Sequence, residues 1–558
     1  MAASTTTSWD QKIAAKRQAG RDKIPKEWLL PSSILEGLQM PLDKHPNRVN
    51  DLDIPRKSGI LTAKELDITE NYTVESLLAK LRNGELSALD VTVAFSKRAA
   101  IAQQLLSCLT ETCFAEAQER AKYLDNERAN GRIVGPLHGL PISLKDSFQV
   151  AGLAATIGFV SFLDHEVSKS NSPLVDILLE LGAVVYVKTN LPQTLMTADS
   201  ENNVFGRTLN PVNTSLTAGG SSGGEGSLMG FRGAPLGIGT DIAGSIRIPS
   251  LCCGTYGFKP SSSRFPDGGQ INPGRDGMSF FKPSAGPLAN DMQALDFLYR
   301  SVMSVRPALY DSSVLDVPWR DLSKSPSTGK LRIGVLSEDP SYPLHPPVKR
   351  TMAEAVKLLK AQGHEIYNID PATAQVDNAL MIAFNYFFLD DKPMEFIAAS
   401  GEELVTSVKQ SMGVFHSVKS TFLDDIAGLE GVVRVAAINT KREAIIEAWR
   451  EMWKQQKLDV MIGPPAQHTA VPHDTYGLPP YTLLLNVLDY PACVIPFGKS
   501  SSQLDPEPFT MGPGQYGPNY DPKATDGAPT SIQVFTNNMR DEECLHYASV
   551  IDACLNPK

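Results

Sequence analysis

Hydrophobic positions along the chain recur with the helical period in several stretches, and a short apolar run often follows. Residues 87–106 begin with the capping-box pattern of Ser87 and Asp90 and continue with apolar residues on one helical face. In residues 172–182, a Ser-Pro start precedes apolar residues at helical spacing, and a glycine follows them. The pattern therefore predicts two helices, and the run AVVYVK at 183–188 predicts a buried strand after the second.

The same succession of helix and strand returns in the second half of the chain. Residues 347–369 show a helical pattern, a break at Gly363 and then the run HEIYNI. The runs LRIGVL, LDVMIG, ACVIPF and SIQVF predict further strands, and GLPISLKD predicts a short strand over 142–144 with Lys145 at its end. An alternation of this kind is typical of an α/β fold in which helices cover a sheet.

The 558 residues divide into a short extension and a long remainder. Residues 1–70 combine one helix with irregular, proline-interrupted chain, and we interpret them as an N-terminal extension. Residues 71–558 are interpreted as a single domain, in which the Pro/Gly-rich stretch 501–528 predicts a surface insertion. The pattern does not predict the folds of the loops 372–430 and 501–528.

Charge and composition argue against several classes of protein. A formal net charge of -10 disfavours a nucleic-acid partner and an anionic membrane surface, since both require a basic face. No run of about 18 apolar residues occurs, so no transmembrane segment is predicted. The first 30 residues lack the apolar core of a signal peptide. The histidines show no metal-ligand spacing, and we expect no metal site.

The seven cysteines are sparsely spaced and include no C-x-x-C pair. This pattern favours buried, free thiols in a reducing compartment, which we take to be the cytoplasm. For the neighbouring Cys252 and Cys253, structural burial is favoured over a nucleophilic role.

A glycine- and serine-rich stretch, AGGSSGGEGS at 218–227, allows three interpretations. A linker is disfavoured because the stretch runs straight into an apolar segment, and a phosphate-binding loop because no Lys closes the glycine run. Residues 219–223 also match the G-x-S-x-G nucleophile elbow of α/β-hydrolases, with Ser221 as nucleophile. That fold needs an acid and then a His downstream, and no candidate has a distinctive context among His416, His468, His473 and His546.

A second serine lies in the small-residue segment GIGTDIAGSIRIPSLCCGTYGFKPS at 237–261. Small residues before Ser245 allow several backbone N–H groups to converge on one point, which is how an oxyanion hole is built. Two serine sites and one upstream lysine together indicate a chemistry different from that of the nucleophile elbow.

These segments resemble the amidase signature hydrolases. That family carries Gly-Gly-Ser-Ser-Gly-Gly, then Gly-x-Asp-x-Gly-Gly-Ser-Ile-Arg-x-Pro, then Gly-x-x-Gly-x-Lys-Pro, and all three occur here in order with one departure. The resemblance extends from about Val74 to Leu555 and is strongest to fungal acetamidase-type general amidases. It implies an α/β amidase signature fold, with a large twisted mixed β-sheet covered by α-helices on both faces.

The resemblance implies a Ser–cisSer–Lys triad. Ser245 is the expected nucleophile, Ser221 the proton relay and a substrate contact, and Lys145 the base behind Ser221. A free lysine is protonated near neutral pH, so Lys145 has to be buried, which lowers its pKa. The Gly220–Ser221 peptide bond is expected to be cis, as in relatives, and Ser222 to hydrogen-bond to Lys145 or to the loop backbone.

The resemblance also implies an oxyanion hole made of backbone N–H groups, those of Ile242, Ala243, Gly244 and Ser245. Ala243 is the departure, because the family usually has glycine there. Alanine disfavours a positive φ, so the geometry of the hole stays open at this point, while the reaction class does not.

Two further pairs of residues have two interpretations each, and Glu225 has one. Asp241 and Arg247 flank the nucleophile, and an ion pair that holds the loop is favoured over substrate contact. Leu195 and Met196 align with acyl-pocket positions of relatives, although core packing explains them equally well. Glu225 lies near the start of a helix, where its negative charge interacts favourably with the helix dipole, and it is given no chemical role.

The implied function is hydrolysis of linear carboxamides, acetamide-like or of other small to medium size. The products are a carboxylate and ammonia or an amine, formed through an acyl-enzyme. The expected partner is the small-molecule amide alone, with no cofactor and no metal; relatives are often homodimers. Two alternatives stay open: an α/β-hydrolase-like esterase in which Ser221 attacks, and a non-catalytic assembly subunit of the same fold.

Overall fold

The centre of the protein is a β-sheet, seen in a computed structural model that describes residues 9–278, 281–322 and 329–557. Its strands and a separate two-stranded ribbon, in chain order, are β1 (Leu109–Thr112), β2 (Pro141–Lys145), β3 (Val184–Thr189), β4 (Glu201–Asn202), β5 (Gly206–Arg207), β6 (Leu236–Asp241), β7 (Tyr256–Lys259), β8 (Ser284–Ala289), β9 (Arg332–Leu336), β10 (Glu365–Ile369), β11 (Val460–Gly463), β12 (Ala492–Lys499) and β13 (Pro529–Phe535).

The main sheet is mixed and has 11 strands in the order β1-β3-β2-β6-β8-β7-β12-β13-β11-β9-β10. Strand β2 runs parallel to both β3 and β6, and β9 runs parallel to β10 and β11. The other pairings in the sheet are antiparallel. The predicted mixed sheet is therefore confirmed, and each apolar run singled out in the sequence lies in one of its strands.

Helices surround the sheet. They are α1 (Trp9–Asp22), α2 (Ser32–Leu35), α3 (Ile54–Lys57), α4 (Ala63–Glu70), α5 (Val74–Asn83), α6 (Ala88–Leu106), α7 (Phe114–Ala129), α8 (Pro173–Glu180), α9 (Gly223–Gly230), α10 (Arg247–Cys253), α11 (Met292–Met303), α12 (Pro346–Ala361), α13 (Pro371–Ala374), α14 (Val376–Phe387), α15 (Lys392–Ser400), α16 (Thr406–Ser417), α17 (Gly431–Gln456), α18 (Pro480–Val487) and α19 (Asp541–Leu555).

Helix ends follow the chemistry of their sequences. Ser87 caps α6, because its side chain accepts a hydrogen bond from the N–H of Asp90 at 3.0 Å. Ser172 precedes α8 as predicted, but its hydroxyl donates to the carbonyl of Gly269 at 2.8 Å instead of capping the helix. Ser172 therefore ties the start of α8 to the loop that follows β7.

Both faces of the sheet are covered. Every residue of β3, β8 and β13 is buried, and successive side chains of a strand point to opposite faces. Helices α6 and α9 pack on β2 and β3, whereas α11 and α19 pack on β7, β12 and their neighbours. Trp28, Val49 and Ile54, from the N-terminal segment, belong to the same apolar cluster as the sheet.

The two loops whose folds the pattern did not predict differ from each other. Residues 372–430 contain α14, α15 and α16. The apolar side chains of α14 belong to a second core cluster, against which Val414 and Phe415 of α16 pack, whereas Ile397 of α15 belongs to a separate small cluster. Residues 501–528 have no helix or strand among the elements above. Within them Tyr520 donates its hydroxyl to the carbonyl of Asp505 at 2.9 Å, and the Asp505 carboxylate anchors them by accepting from Nη2 of Arg350 at 2.7 Å. Within the described residues, no helix is long and apolar enough to cross a membrane.

Candidate active site

Two neighbouring parallel strands bring the candidate residues together. Lys145 is the last residue of β2, and Ser245 lies between the end of β6 and the start of α10. Ser221 lies just before α9, which packs on β2 and β6. Because β2 and β6 pair in parallel, their carboxyl ends meet at one edge of the sheet. The segments that carry Lys145, Ser221 and Ser245 therefore converge there.

Lys145 is fully buried and contacts two hydroxyl groups. Its Nζ lies 2.6 Å from Oγ of Ser221 and 2.8 Å from Oγ1 of Thr240. Burial lowers the pKa of Lys145 to about 7. The negative charges of Asp241, Asp267 and Glu225 favour the protonated lysine and limit this decrease. The direction of this shift agrees with the one expected from the sequence.

The glycines around Ser221 allow the chain to pack closely. The Gly220–Ser221 peptide bond is cis, as expected, and Gly219 has a positive φ of 81°. A Cβ on Gly220 would lie 2.3 Å from the carbonyl oxygen of Thr197, so no side chain fits there. Ser200 bridges the turn by donating to the carbonyl of Gly219 at 2.9 Å and accepting the N–H of Gly223 at 3.1 Å.

Ser221 and Ser245 line one cavity with a volume of about 460 Å³. Leu195 and Met196 line it as well, and together with Ser245 they also line a small second recess. Leu195 packs in addition against a small apolar cluster, whereas Met196 is partly exposed. Both residues therefore lie on the wall of the cavity that Ser245 lines, and Leu195 has a packing role too.

A buried ion pair holds the loop before the nucleophile. The Asp241 carboxylate accepts from Nη2 of Arg247 at 2.9 Å and from Nε at 3.0 Å. Burial alone would raise the pKa of Asp241, but Arg247 outweighs that effect and holds it well below its usual range. Neither side chain lines the cavity, so the predicted structural ion pair is confirmed.

The far half of the chain contributes to the same loop. Asn486 donates to the Asp241 carboxylate at 3.0 Å and accepts from Arg247 at 2.6 Å. Thr482 donates its hydroxyl to the carbonyl of Ala243 at 2.8 Å. Both residues belong to α18, so this helix fixes the conformation of the loop that ends at Ser245.

The N–H groups of the predicted oxyanion hole fall into two kinds. The N–H of Gly244 donates to the Asp241 carboxylate at 2.8 Å and is already engaged. Those of Ile242, Ala243 and Ser245 have no acceptor within the described part of the chain. Ala243 is not among the residues with positive φ, whereas Gly244 has φ of 122°. Alanine therefore fits at 243, and the glycine requirement belongs to position 244.

Thr240 is the residue that sequence reasoning missed. It is the second partner of Lys145, and its backbone N–H donates to Oγ of Ser222 at 3.2 Å. Ser222 in turn donates to the carbonyl of Thr240 at 3.3 Å, so its hydroxyl contacts the backbone of β6 and not Lys145. A threonine at a strand end carries no signal in the sequence; only the pairing of β2 with β6 places it beside Lys145.

Glu225 is more closely involved than its sequence position indicated. It is buried, and its carboxylate accepts from the hydroxyls of Ser143 at 2.6 Å and Thr189 at 2.8 Å. Burial raises the pKa of Glu225 to about 7, although Ser143, Thr189 and the charge of Lys145 oppose the rise. Glu225 is therefore a titratable group beneath the site.

The four downstream histidines and the two neighbouring cysteines, which the alternative mechanisms would use, do not line the cavity. The ring nitrogens of His468 contact the carbonyls of Thr469 and Tyr476, and none of the four downstream histidines lines the cavity. Cys252 and Cys253 are buried, and burial raises the pKa of both thiols well above the usual range. Ser221 is thus paired with a lysine, and the two thiols are held neutral.

The fold and this arrangement of two serines and a lysine are of the amidase signature type. The family model described as "Amidase" matches residues 90–545, and the chain belongs to the amidase signature family. An "Amidase" of Gibberella moniliformis (strain M3125 / FGSC 7600) is 39% identical over 548 residues, 98% of this chain and 98% of that protein.

Two further comparisons agree with this assignment. An "Acetamidase" of Emericella nidulans is 34% identical over 564 residues, with 98% of each chain covered. The solved structure of a "Fatty acid amide hydrolase" matches with a TM-score of 0.87 at 30% identity, over 99% of this chain and 96% of that chain. The family supports a hydrolase that acts on carbon–nitrogen bonds in amides.

Proposed function

We propose that the protein is an amidase that hydrolyses linear carboxamides to a carboxylate and ammonia or an amine. The observation that carries the proposal is the contact of a buried Lys145 with Ser221, at 2.6 Å, in a cavity that Ser245 also lines. This is the arrangement needed to remove a proton from a serine without a histidine.

In the first half of the proposed reaction, Oγ of Ser245 attacks the amide carbonyl carbon. The Ser245 proton passes to Oγ of Ser221, and the Ser221 proton passes to the neutral amine of Lys145. The carbonyl oxygen becomes an oxyanion, for which the free N–H groups of Ile242, Ala243 and Ser245 are the candidate donors. The same relay then returns a proton to the nitrogen, the C–N bond breaks, and ammonia or an amine leaves.

In the second half, water hydrolyses the ester formed on Ser245. Lys145 again accepts the proton through Ser221, and Ser245 recovers its proton when the carboxylate leaves. A base with a pKa near the working pH is efficient in both directions, because it both accepts and returns the proton. The burial of Lys145, which lowers its pKa to about 7, supports this role.

The size of the cavity bears on the substrate. A volume of about 460 Å³ lies in the range of pockets that hold drug-sized ligands and exceeds what acetamide fills. Two of the similar proteins are named for acetamide and for fatty acid amides, which differ widely in size. We therefore place the preferred substrate among medium-sized linear amides, with acetamide as a poor substrate.

A panel of linear amides of graded chain length tests this proposal, with release of ammonia as the readout. The expected result is a kcat/KM that rises from acetamide to a medium-length amide, with no release by the matched variant Ser245→Ala. Release from no amide in the panel would contradict the proposed function and revive the non-catalytic assembly subunit.

The free cysteines bear on the cellular compartment of the protein. The seven cysteines carry free thiols, which fits a reducing compartment, and we place the enzyme in the cytoplasm. The homodimer implied by the resemblance stays a prediction.

A further inference from the structure

The cavity that contains Ser245 carries acidic side chains on its wall. The ionisable carboxylates that line it belong to Asp267, Asp276 and Asp390. Among its described lining residues there is no Lys, Arg or His. Among the described residues, the charged side chains that a substrate group meets on this wall are therefore carboxylates.

Asp267 differs from the other two because it is held inside the cavity. Nε2 of Gln270 donates to Oδ1 of Asp267 at 2.7 Å, and Oε1 of the same glutamine accepts from the hydroxyl of Ser147 at 2.7 Å. Ser147 lies two residues after Lys145 in the chain. Through Gln270 the Asp267 carboxylate is thus fixed relative to the catalytic end of the cavity.

The loop backbone at Asp267 is fixed as well. The carboxylate of Asp311 accepts the N–H of Asp267 at 3.0 Å and that of Gly268 at 2.7 Å. This places a second carboxylate, and not a cation, next to Asp267. The loop geometry therefore does not arise from a salt bridge to Asp267 itself.

No side chain among the described residues forms an ion pair with Asp267. The charged groups that face it are Lys145 and Asp311. Burial raises the pKa of Asp267 to about 7, and Asp311 adds to the rise, whereas Gln270 and Lys145 oppose it. A partly buried carboxylate in this setting is stabilised in its charged form by an added cation.

The other two carboxylates need no such partner. Asp390 accepts the backbone N–H groups of Arg275 at 2.7 Å and Lys392 at 3.0 Å, and Nε of Arg275 lies 3.9 Å from it. Asp276 is exposed to solvent at the wall of the cavity. Asp267 is accordingly the carboxylate on this wall that combines partial burial with the lack of an ion pair.

We propose that the preferred amide substrate carries a basic group, an ammonium or a guanidinium, which binds the Asp267 carboxylate while the amide lies at Ser245. This inference rests on the proposed function and narrows its substrate class to amides of basic compounds. Asp267 then determines specificity by a charge-assisted hydrogen bond and does not take part in proton transfer.

Matched pairs of substrates test the proposal. Each pair contains an ω-amino carboxamide and the alkyl carboxamide in which a methyl group replaces the ammonium, at chain lengths of about two to six methylenes. For the wild-type enzyme we expect kcat/KM for the amino member to exceed that for the methyl member by about tenfold or more at one chain length. Raising the salt concentration should lower this ratio, because screening weakens the ionic contact.

Two isosteric variants test which residue causes the preference for the amino substrate. Asp267→Asn should lower the ratio to about one, mainly through KM of the amino substrate, whereas Asp276→Asn should lower it less. A wild-type ratio of one or below at every length overturns the inference but leaves the proposed function intact if the alkyl amides are hydrolysed. An unchanged ratio in Asp267→Asn also overturns it, as does an equal loss in Asp276→Asn. Hydrolysis of neither member is the failure of the proposed function itself.

Discussion

Lys145 connects the sequence to the chemistry at the scale of a single residue. Its place at the end of a predicted strand followed from the pattern, but its protonation state depends on burial and on three carboxylates from distant segments. Burial lowers its pKa and Asp241, Asp267 and Glu225 oppose the change, so a pKa of about 7 is the balance of the two. The proposed base is therefore a property of the folded protein.

The pH dependence of turnover follows from this balance. Lys145 acts when it is deprotonated, so kcat/KM for a neutral amide should rise with pH through about 7 and level off above it. Because the Glu225 carboxylate favours charged Lys145, Glu225→Gln should move the midpoint to lower pH. A profile recorded from pH 5 to pH 9 that is flat, or a midpoint that moves upward in the variant, would contradict this account.

Replacing Lys145 by arginine tests its role as the base while keeping a positively charged side chain. Arginine stays protonated at every accessible pH, so Lys145→Arg should lower kcat by about 100- to 10,000-fold. Thermal unfolding checks that the variant is folded. Retention of activity at neutral pH in a folded variant would show that Lys145 is not the base.

At the scale of elements, the loop between β6 and α10 shows how far the sequence could be interpreted. The ion pair of Asp241 with Arg247 was predictable, since the two residues lie six positions apart around a small-residue turn. The contacts of Thr482 and Asn486 were not, because they come from α18, more than 200 positions along the chain. Nothing in a local pattern indicates that α18 packs on this loop.

Removal of one partner of the buried ion pair should be costly. Asp241→Asn leaves the Arg247 guanidinium buried without its carboxylate, and we expect a loss of about 3–5 kcal/mol in the free energy of unfolding. Chemical denaturation measures the loss. Asp316→Asn, which breaks an exposed pair with Arg306, is the control and should cost far less. Equal losses in the two variants would show that the Asp241 pair does not stabilise the fold.

The backbone conformation of the loop predicts a large effect of substitution at Gly244 and a small effect at Ala243. Gly244→Ala should lower kcat by roughly 100-fold, because its φ of 122° is strained for alanine and the new Cβ would lie 2.3 Å from Oγ1 of Thr482. Ala243→Gly should have a far smaller effect, since position 243 does not have a positive φ. Steady-state kinetics on one amide compares the two; a larger loss in Ala243→Gly would contradict the described geometry.

At the scale of the whole molecule, the alternation of helices and apolar runs predicted the α/β fold but not the order of its strands. Strands β1, β7 and β8 escaped prediction, and β8 lies between β6 and β7 in the sheet. Pairing of strands far apart in sequence is set by packing of both sheet faces, which a single-strand pattern does not contain. The family motifs pointed to Lys145, Ser221 and Ser245 as candidates; the tertiary structure added Thr240 as a second contact of Lys145 and placed Asp267 on the cavity wall.

The architecture also gives the two serines different surroundings. Ser221 contacts Lys145, and Ser245 lies at the end of the loop whose free N–H groups come from Ile242, Ala243 and Ser245 itself. An attacking serine needs those donors beside it, since they stabilise the oxyanion, whereas a relay needs the base. The fold therefore favours Ser245 as nucleophile over the Ser221 elbow.

Covalent labelling of the enzyme with a fluorophosphonate, followed by peptide mass mapping, tests this central claim most directly. The account predicts one labelled residue, Ser245, with no labelling in Ser245→Ala and slower labelling in Lys145→Arg. Label on Ser221 with Ser245 unmodified would contradict the account and support the nucleophile-elbow alternative.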